Sequence, residues 1–243
     1  MTAYPVLTAS TFLPLAGAAL ILLLGRDRLA RWIALATTLA TLAVMAPLWW
    51  RFDKASSTLQ FVESADWIPS LNIAYGMGVD GISLPFLFLA SLLSILCIGV
   101  SWTAVQTRVR EFYAALLVAE TAMIGLFAAS NLFLFFVFWE LMLIPIFLLI
   151  GVWGGPGRVY AAVKFLIFTL SGSVLMLVGT IAIYRTCGTL DFKALSLARA
   201  SLPPGQQAWL FAAFLAAFAV KVPMFPVHTW LPTPTPRLPP PGA

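Results

Sequence analysis

Seven runs of about twenty apolar residues, each long enough at 1.5 Å per helical residue to cross a hydrocarbon core about 30 Å thick, constrain this chain most. They lie near 6–25, 32–50, 80–102, 112–129, 131–151, 160–184 and 208–230. Of the 243 residues 61% are hydrophobic and 9% charged, and the mean hydropathy is +0.98. A soluble domain of this length has no use for that much apolar surface. The expectation is an all-α polytopic membrane protein of about seven transmembrane helices, seated in a lipid bilayer.

The net charge of +5 and pI near 9.6 raise nucleic acid as a partner. The basic residues form no stripe, however; they are scattered between the spans and read as topology signals, so no nucleic-acid role is expected. Arg26, Arg28, Arg31, Arg108, Arg110 and Arg158 fall on one side, close to the ends of short loops. Arg51, Lys54, Arg185, Lys193 and Arg199 fall on the other, diluted by Asp53, Glu63, Asp66 and Asp191. The first set is expected to be cytoplasmic, which puts the N-terminus outside. The start "MTAYPVLTAS" has no basic residue before its apolar run, so it reads as a retained helix and not a signal peptide. Trp49, Trp50, Trp67, Trp102, Trp153 and Trp209 sit near expected span ends, as an interfacial belt requires. The polar stretch from Arg51 to Tyr75 reads as a small extramembrane hairpin or loop. Cys97 and Cys187 lack metal-site spacing and His228 is the sole histidine, so no metal, haem or iron–sulfur site is expected.

Four ionisable residues lie inside spans: Glu120, Glu140, Lys164 and Lys221. A charge at mid-bilayer costs at least about 2.5 kcal/mol, so each is a functional candidate. Glu120 and Glu140 each stand nine residues from the turn "ASN" at 129–131, hence about 13–14 Å deep on adjoining helices. Lys221 lies about 18 Å into its helix, directly before "VPMFP", where Pro223 and Pro226 break the helix. A helix broken at mid-membrane is tolerated where it lines an enclosed or watery cavity, the setting in which transporters hold ions. A lysine facing a carboxylate there is suited to taking up and releasing a proton. Lys164 is only about four residues inside its span, where a long stem can also snorkel. His228, after the break in "PVHTW", is a candidate relay near neutral pH.

These residues carry a resemblance. "GVDGISLPFL" at 78–87, "FWELMLIPIFLLIGVWGG" at 138–155, "AAVKFLIFT" at 161–169 and "AVKVPMFPVHTWLP" at 219–232 resemble the antiporter-like membrane subunits of proton-translocating NADH-quinone oxidoreductase, respiratory complex I. Within that family "WELMLIP" is most similar to subunit M, or chain 4, and less so to subunits L and N or to the related multi-component cation/proton antiporters. The resemblance implies that Glu140 is the proton-channel glutamate and Lys221 the lysine of the broken helix, with Glu120 and Lys164 as further intramembrane polar positions. It implies the N-terminal half of the antiporter-like fold. Residues 1–111 then hold helices one to three with an extramembrane loop near 51–76, and 112–232 form the first half-repeat of the proton-translocating domain. It implies partners among the other membrane subunits, especially L and N, in a bacterial inner membrane. No cofactor is expected on this chain; NADH, flavin, iron–sulfur clusters and quinone belong to other subunits. No GxGxxG follows a strand, and "WGGPG" reads as a loop between helices.

After Pro232 the family continues with a motif close to Asp-Ala-His-x-Glu-Ala-Pro-Thr-Ala-Gly, whereas this chain reads "TPTPRLPPPGA". With GC-rich codons, the tail read one frame over encodes Asp-Ala-His-Ala-Glu-Ala-Pro-Thr-Ala-Gly. The expectation is therefore a single-base frameshift after Pro232, a disordered out-of-frame tail at 233–243, and a truncated product that does not pump by itself. The rival readings are a subunit of a multi-component cation/proton antiporter, a stand-alone secondary antiporter and a structural membrane scaffold.

Overall fold

The computed structural model describes residues 5–198 and 202–231. Arg199 and the tail at 233–243 lie outside the described residues.

Helices α1 (Val6–Leu24), α2 (Asp27–Arg51), α3 (Ser83–Ala104), α4 (Val109–Ala128) and α7 (Arg158–Cys187) are each long and apolar enough to span, as is the pair α5 (Leu132–Leu141) and α6 (Leu143–Trp153) taken together. These six spans are followed by α8 (Phe192–Ala198) and α9 (Pro204–Lys221), the last of which ends at the expected break. The apolar runs predict these elements because a bilayer offers the backbone no partners, leaving the helix to satisfy its own N–H and C=O groups. Gly25 and Gly188 close α1 and α7 in the left-handed conformation, at φ 66° and 69°.

Two differences from the sequence reading concern helix boundaries. The helix begun at 32 starts instead at Asp27, whose carboxylate sits in the first turn and binds Arg110 at 3.0 Å. The run at 131–151 is not one fully hydrogen-bonded helix: its ladder of hydrogen bonds is interrupted beside Met142, which itself keeps helical angles of φ −62° and ψ −25°. Pro145 is the reason. It has no N–H to give the Leu141 carbonyl, and its ring crowds that turn.

Between α2 and α3 the polar stretch folds into a hairpin of β1 (Gln60–Ile68) and β2 (Ile73–Val79), antiparallel, with Glu63 opposite Met77 and Asp66 opposite Ala74. The hairpin is fastened to the membrane helices at three points. Glu63 accepts from the Leu7 and Thr8 N–H groups at 2.7 and 2.9 Å and from the Thr8 hydroxyl at 2.6 Å. It thereby caps α1, whose own N-cap, Pro5, has no side-chain acceptor. Tyr75 shares the Thr8 hydroxyl at 2.9 Å; burial pushes its phenol above the usual value, against the Thr8 hydrogen bond and helped by the Glu63 charge. Ser130 donates its N–H to the Gly76 carbonyl at 2.9 Å, and Asn131 donates from its side chain to Ala74 at 2.9 Å while capping α5 through Leu134 at 2.8 Å. The loop before α8 joins the same seam through Leu132 to Leu190 and Phe192 to Ser130.

At the opposite end the short loops meet. Arg31 donates to the Val105 carbonyl at 2.8 Å, Arg110 pairs with Asp27, and Trp153 donates to the Thr107 carbonyl at 2.9 Å. The loops thus divide into two faces as the alternating spans require, with Arg31 and Arg110 on the second. The buried core runs between α1, α2, α3 and α4, and a second packing surface joins α7 to α9.

Candidate functional site

Helix α4 is the most enclosed span, and Glu120 at its middle is fully buried. Ser91 of α3 donates to one carboxyl oxygen at 2.7 Å, and Thr38 of α2 lies 3.0 Å from the other. Thr38 also lies 3.0 Å from the Ala34 carbonyl. Glu120 therefore ties three helices together through hydroxyl groups and meets no cation among its hydrogen-bond partners.

Glu140 is placed differently. It lies in the last turn of α5, one residue before Leu141, whose carbonyl Pro145 leaves without a helical donor. Its Oε1 is buried and has no hydrogen-bond partner. A carboxyl oxygen left so is costly unless something visits it.

Lys221 ends α9 and comes to the same turn. Its ammonium donates to the Trp139 carbonyl at 2.7 Å and lies 3.8 Å from the centroid of the Trp139 ring. Glu140 is the carboxylate whose charge acts on it. The two do not form an ion pair: among the described residues the ion pairs are Arg108 with Glu111 and Arg110 with Asp27. The break after Lys221 is satisfied locally. Met224 donates to the Ala219 carbonyl at 2.8 Å, which Pro223 cannot serve, and the Trp230 indole donates at 2.8 Å to the Val220 carbonyl that Met224 thereby leaves. Helix α9 reaches this position because α7 presents small residues to it: a Cβ at Gly172 would meet Val220 and one at Gly179 would meet Phe214.

The sequence-derived candidates thus divide. Glu140 and Lys221 come to one turn, and Glu120 sits in a separate hydroxyl cluster. Lys164 is half-buried beside the Phe168 ring, 6.0 Å from its centroid, in an open depression with Tyr160, Val163 and Ile167. His228 is exposed on the short turn Val227–Trp230, with its ring 5.8 Å from that of Phe225. Neither has a hydrogen bond or ion pair to Glu140 or Lys221 among the described residues. Sequence reasoning missed Trp139, Ser173, Thr38 and Ser91. The aromatic before a membrane glutamate was a visible signal only for Trp139.

A bundle of spanning helices that holds Glu120 fully buried and brings Lys221 to the turn carrying the half-buried Glu140 defines a polytopic membrane protein with ionisable groups inside its helical bundle. The family described as NADH:quinone oxidoreductase/Mrp antiporter, transmembrane, matches residues 129–243. Subunit M of NADH-quinone oxidoreductase from Rhodobacter capsulatus is 47% identical over 93% of this chain and 47% of that protein. A chain of respiratory complex I from Thermus thermophilus, solved with bound NADH, superposes with a TM-score of 0.80 at 30% identity, over 93% of this chain and 46% of that one. A chain of the Mrp complex from a Dietzia species superposes with a TM-score of 0.78 at 23% identity, over 93% of this chain and 24% of that one, and shares the fold. Over more than nine-tenths of its length the chain is similar to the subunit M or chain 4 proteins, antiporter-like membrane subunits of NADH-quinone oxidoreductases. It spans about half the length of the curated relatives it matches.

Proposed function

We propose that this chain is the part of an NADH-quinone oxidoreductase membrane subunit that carries one proton path, with Glu140 and Lys221 as its titrating pair. The observation that carries the reading is the arrival of Lys221, at the broken end of α9, on the turn of α5 that carries Glu140. Lys221 reaches the α5 interruption, where a buried Glu140 oxygen has no hydrogen-bond partner. A carboxylate and an amine that lie close without being paired are two proton-binding groups whose affinities change when they approach or part. Electron transfer elsewhere in the complex supplies the energy for that movement, and the flavin, iron–sulfur and quinone chemistry resides in partner subunits. The partners are the other antiporter-like subunits L and N in a bacterial inner membrane, with the Arg31 and Arg110 face cytoplasmic and α1 beginning outside. Residues 1–111 support the path, and 112–232 form the first half-repeat that contains it. Lys164 and His228 extend the path as relays if protons reach Lys221 from either side.

The decisive experiment places Glu140→Gln and Lys221→Ala in the full-length subunit of the assembled complex. Proton-coupled quinone reduction in sealed vesicles falls to a small fraction of the unsubstituted rate, more so for Lys221→Ala. Undiminished proton translocation in both variants overturns the reading. The Mrp-like fold supports a second reading, a subunit of a multi-component cation/proton antiporter. Purification in mild detergent separates the two, because an oxidoreductase subunit brings quinone-reductase activity with it.

A further inference from the structure

We infer that Trp139 is a positioning residue that gives the Lys221 ammonium a second seat, on its backbone carbonyl and ring face, from which the cation steps to Glu140. This rests on Lys221 being the titrating lysine of the proposed path.

The seat is built and not incidental. The indole Nε1–H donates to the Ser173 hydroxyl of α7 at 3.3 Å, the ring stacks on Phe135 with centroids 5.7 Å apart, and Phe218 of α9 meets it edge-on at 5.3 Å. These three contacts fix the ring with its open face toward Lys221, at 3.8 Å. The carbonyl that accepts the ammonium hydrogen bond at 2.7 Å lies in the final turn of α5, beside the interruption that Pro145 imposes. Glu140 is the next residue, about 3.8 Å along the chain, so a rotation of the lysine stem spans the difference. Of the titratable groups on the packed elements, Glu140 of α5 acts on Lys221, Lys164 of α7 lies at Phe168, and His228 lies at Phe225.

Two seats matter because a charge pair in low dielectric is deep. A lysine offered only Glu140 would remain paired, and one offered nothing would shed its proton unprompted. A carbonyl dipole and an indole face hold the ammonium without neutralising it, so the cation stays protonated while apart from the carboxylate. The energy needed to move between seats is then a difference of two attractions, within range of a conformational push.

The test uses the assembled complex in sealed vesicles, with proton-coupled quinone reduction measured against pH. In Trp139→Leu the ammonium loses the ring face, and the alkaline limb of the profile moves to lower pH by about one unit. Trp139→Phe recovers most of that shift, since it keeps an aromatic face. Ser173→Ala loosens the ring and moves the limb the same way by less. An unmoved limb in Trp139→Leu, or a Trp139→Phe profile equal to that of Trp139→Leu, overturns the inference. If Trp139→Leu does not assemble, an unmoved limb in Ser173→Ala overturns it instead. Lys221→Ala separates the levels. Full pumping there defeats the proton-path reading itself, whereas lost pumping with an unmoved Trp139→Leu profile defeats the Trp139 seat alone.

Discussion

Gly172 of α7 carries Val220 of α9 on its bare backbone, one residue before Lys221. A Cβ at Gly172 would lie 3.2 Å from the Val220 Cβ and 3.4 Å from the Ala217 Cα. Gly172→Val must therefore push α9 off α7, and overpacking of this kind costs about 1–3 kcal/mol. Proton-coupled quinone reduction is expected to fall several-fold, because the displaced residue is the neighbour of Lys221. Gly172→Ala is expected to lie between the two. Thermal inactivation of the purified complex and initial rates in vesicles measure both effects; a Gly172→Val complex with native rate and stability removes the close packing from the account.

The Glu63 carboxylate makes a separate prediction at the extramembrane face. It accepts two backbone N–H groups at the start of α1 and the Thr8 hydroxyl. Glu63→Ala leaves those donors to water, and loss of such a charged cap costs about 1–3 kcal/mol. Glu63→Gln retains one acceptor oxygen and is expected to lose less. Limited proteolysis of the hairpin checks this: cleavage within 53–72 accelerates in Glu63→Ala. An unchanged cleavage rate shows that other contacts hold the hairpin.

The spans were legible because an apolar run long enough to cross a bilayer is a one-dimensional signal, and the break at Pro223 and Pro226 because proline acts on its own backbone. The hairpin followed from the same kind of reading, whereas the run at 208–230 forms α9 and the turn after its break and is not among the six helices long and apolar enough to span. Contacts between distant residues were not legible. Glu63 read as a diluting surface charge, since its donors on Leu7 and Thr8 lie 56 and 55 residues away. Trp139 carries no mark in the sequence of the cation it meets, since that cation comes from 82 residues further on. Pro145 stood in plain view inside "WELMLIP", but hydropathy alone hides an interruption within a run that is apolar on both sides. The seven-residue α8 is too short for periodicity to mark.

Glu120 differs from Glu140 in a way that substitution can read. Its carboxyl oxygens meet Ser91 at 2.7 Å and Thr38 at 3.0 Å, an arrangement that a glutamine reproduces with one carbonyl and one N–H. Glu120→Gln is therefore expected to keep both stability and proton-coupled rate within about twofold. Glu120→Ala empties a fully buried position and strands the Ser91 hydroxyl, costing about 2–4 kcal/mol. Thermal inactivation distinguishes the variants, and loss of proton coupling in a stable Glu120→Gln complex shows that Glu120 is a relay after all.

Pro145→Ala separates helix stability from function. An alanine supplies the N–H that the Leu141 carbonyl lacks and removes a ring from a helix interior, a change that favours the helical turn by up to about 3 kcal/mol. The interruption at Met142 then closes, and α5 and α6 run on as one helix. The restored hydrogen bond tightens the last turn of α5, which carries both the Trp139 carbonyl that Lys221 uses and the Glu140 carboxylate beside it. The two predictions have opposite signs: resistance to heat is unchanged or improved, while the proton-coupled rate falls. A variant that loses stability and rate together means Pro145 is only a packing residue, and one that keeps the native rate means the interruption is not required for the Glu140 and Lys221 geometry.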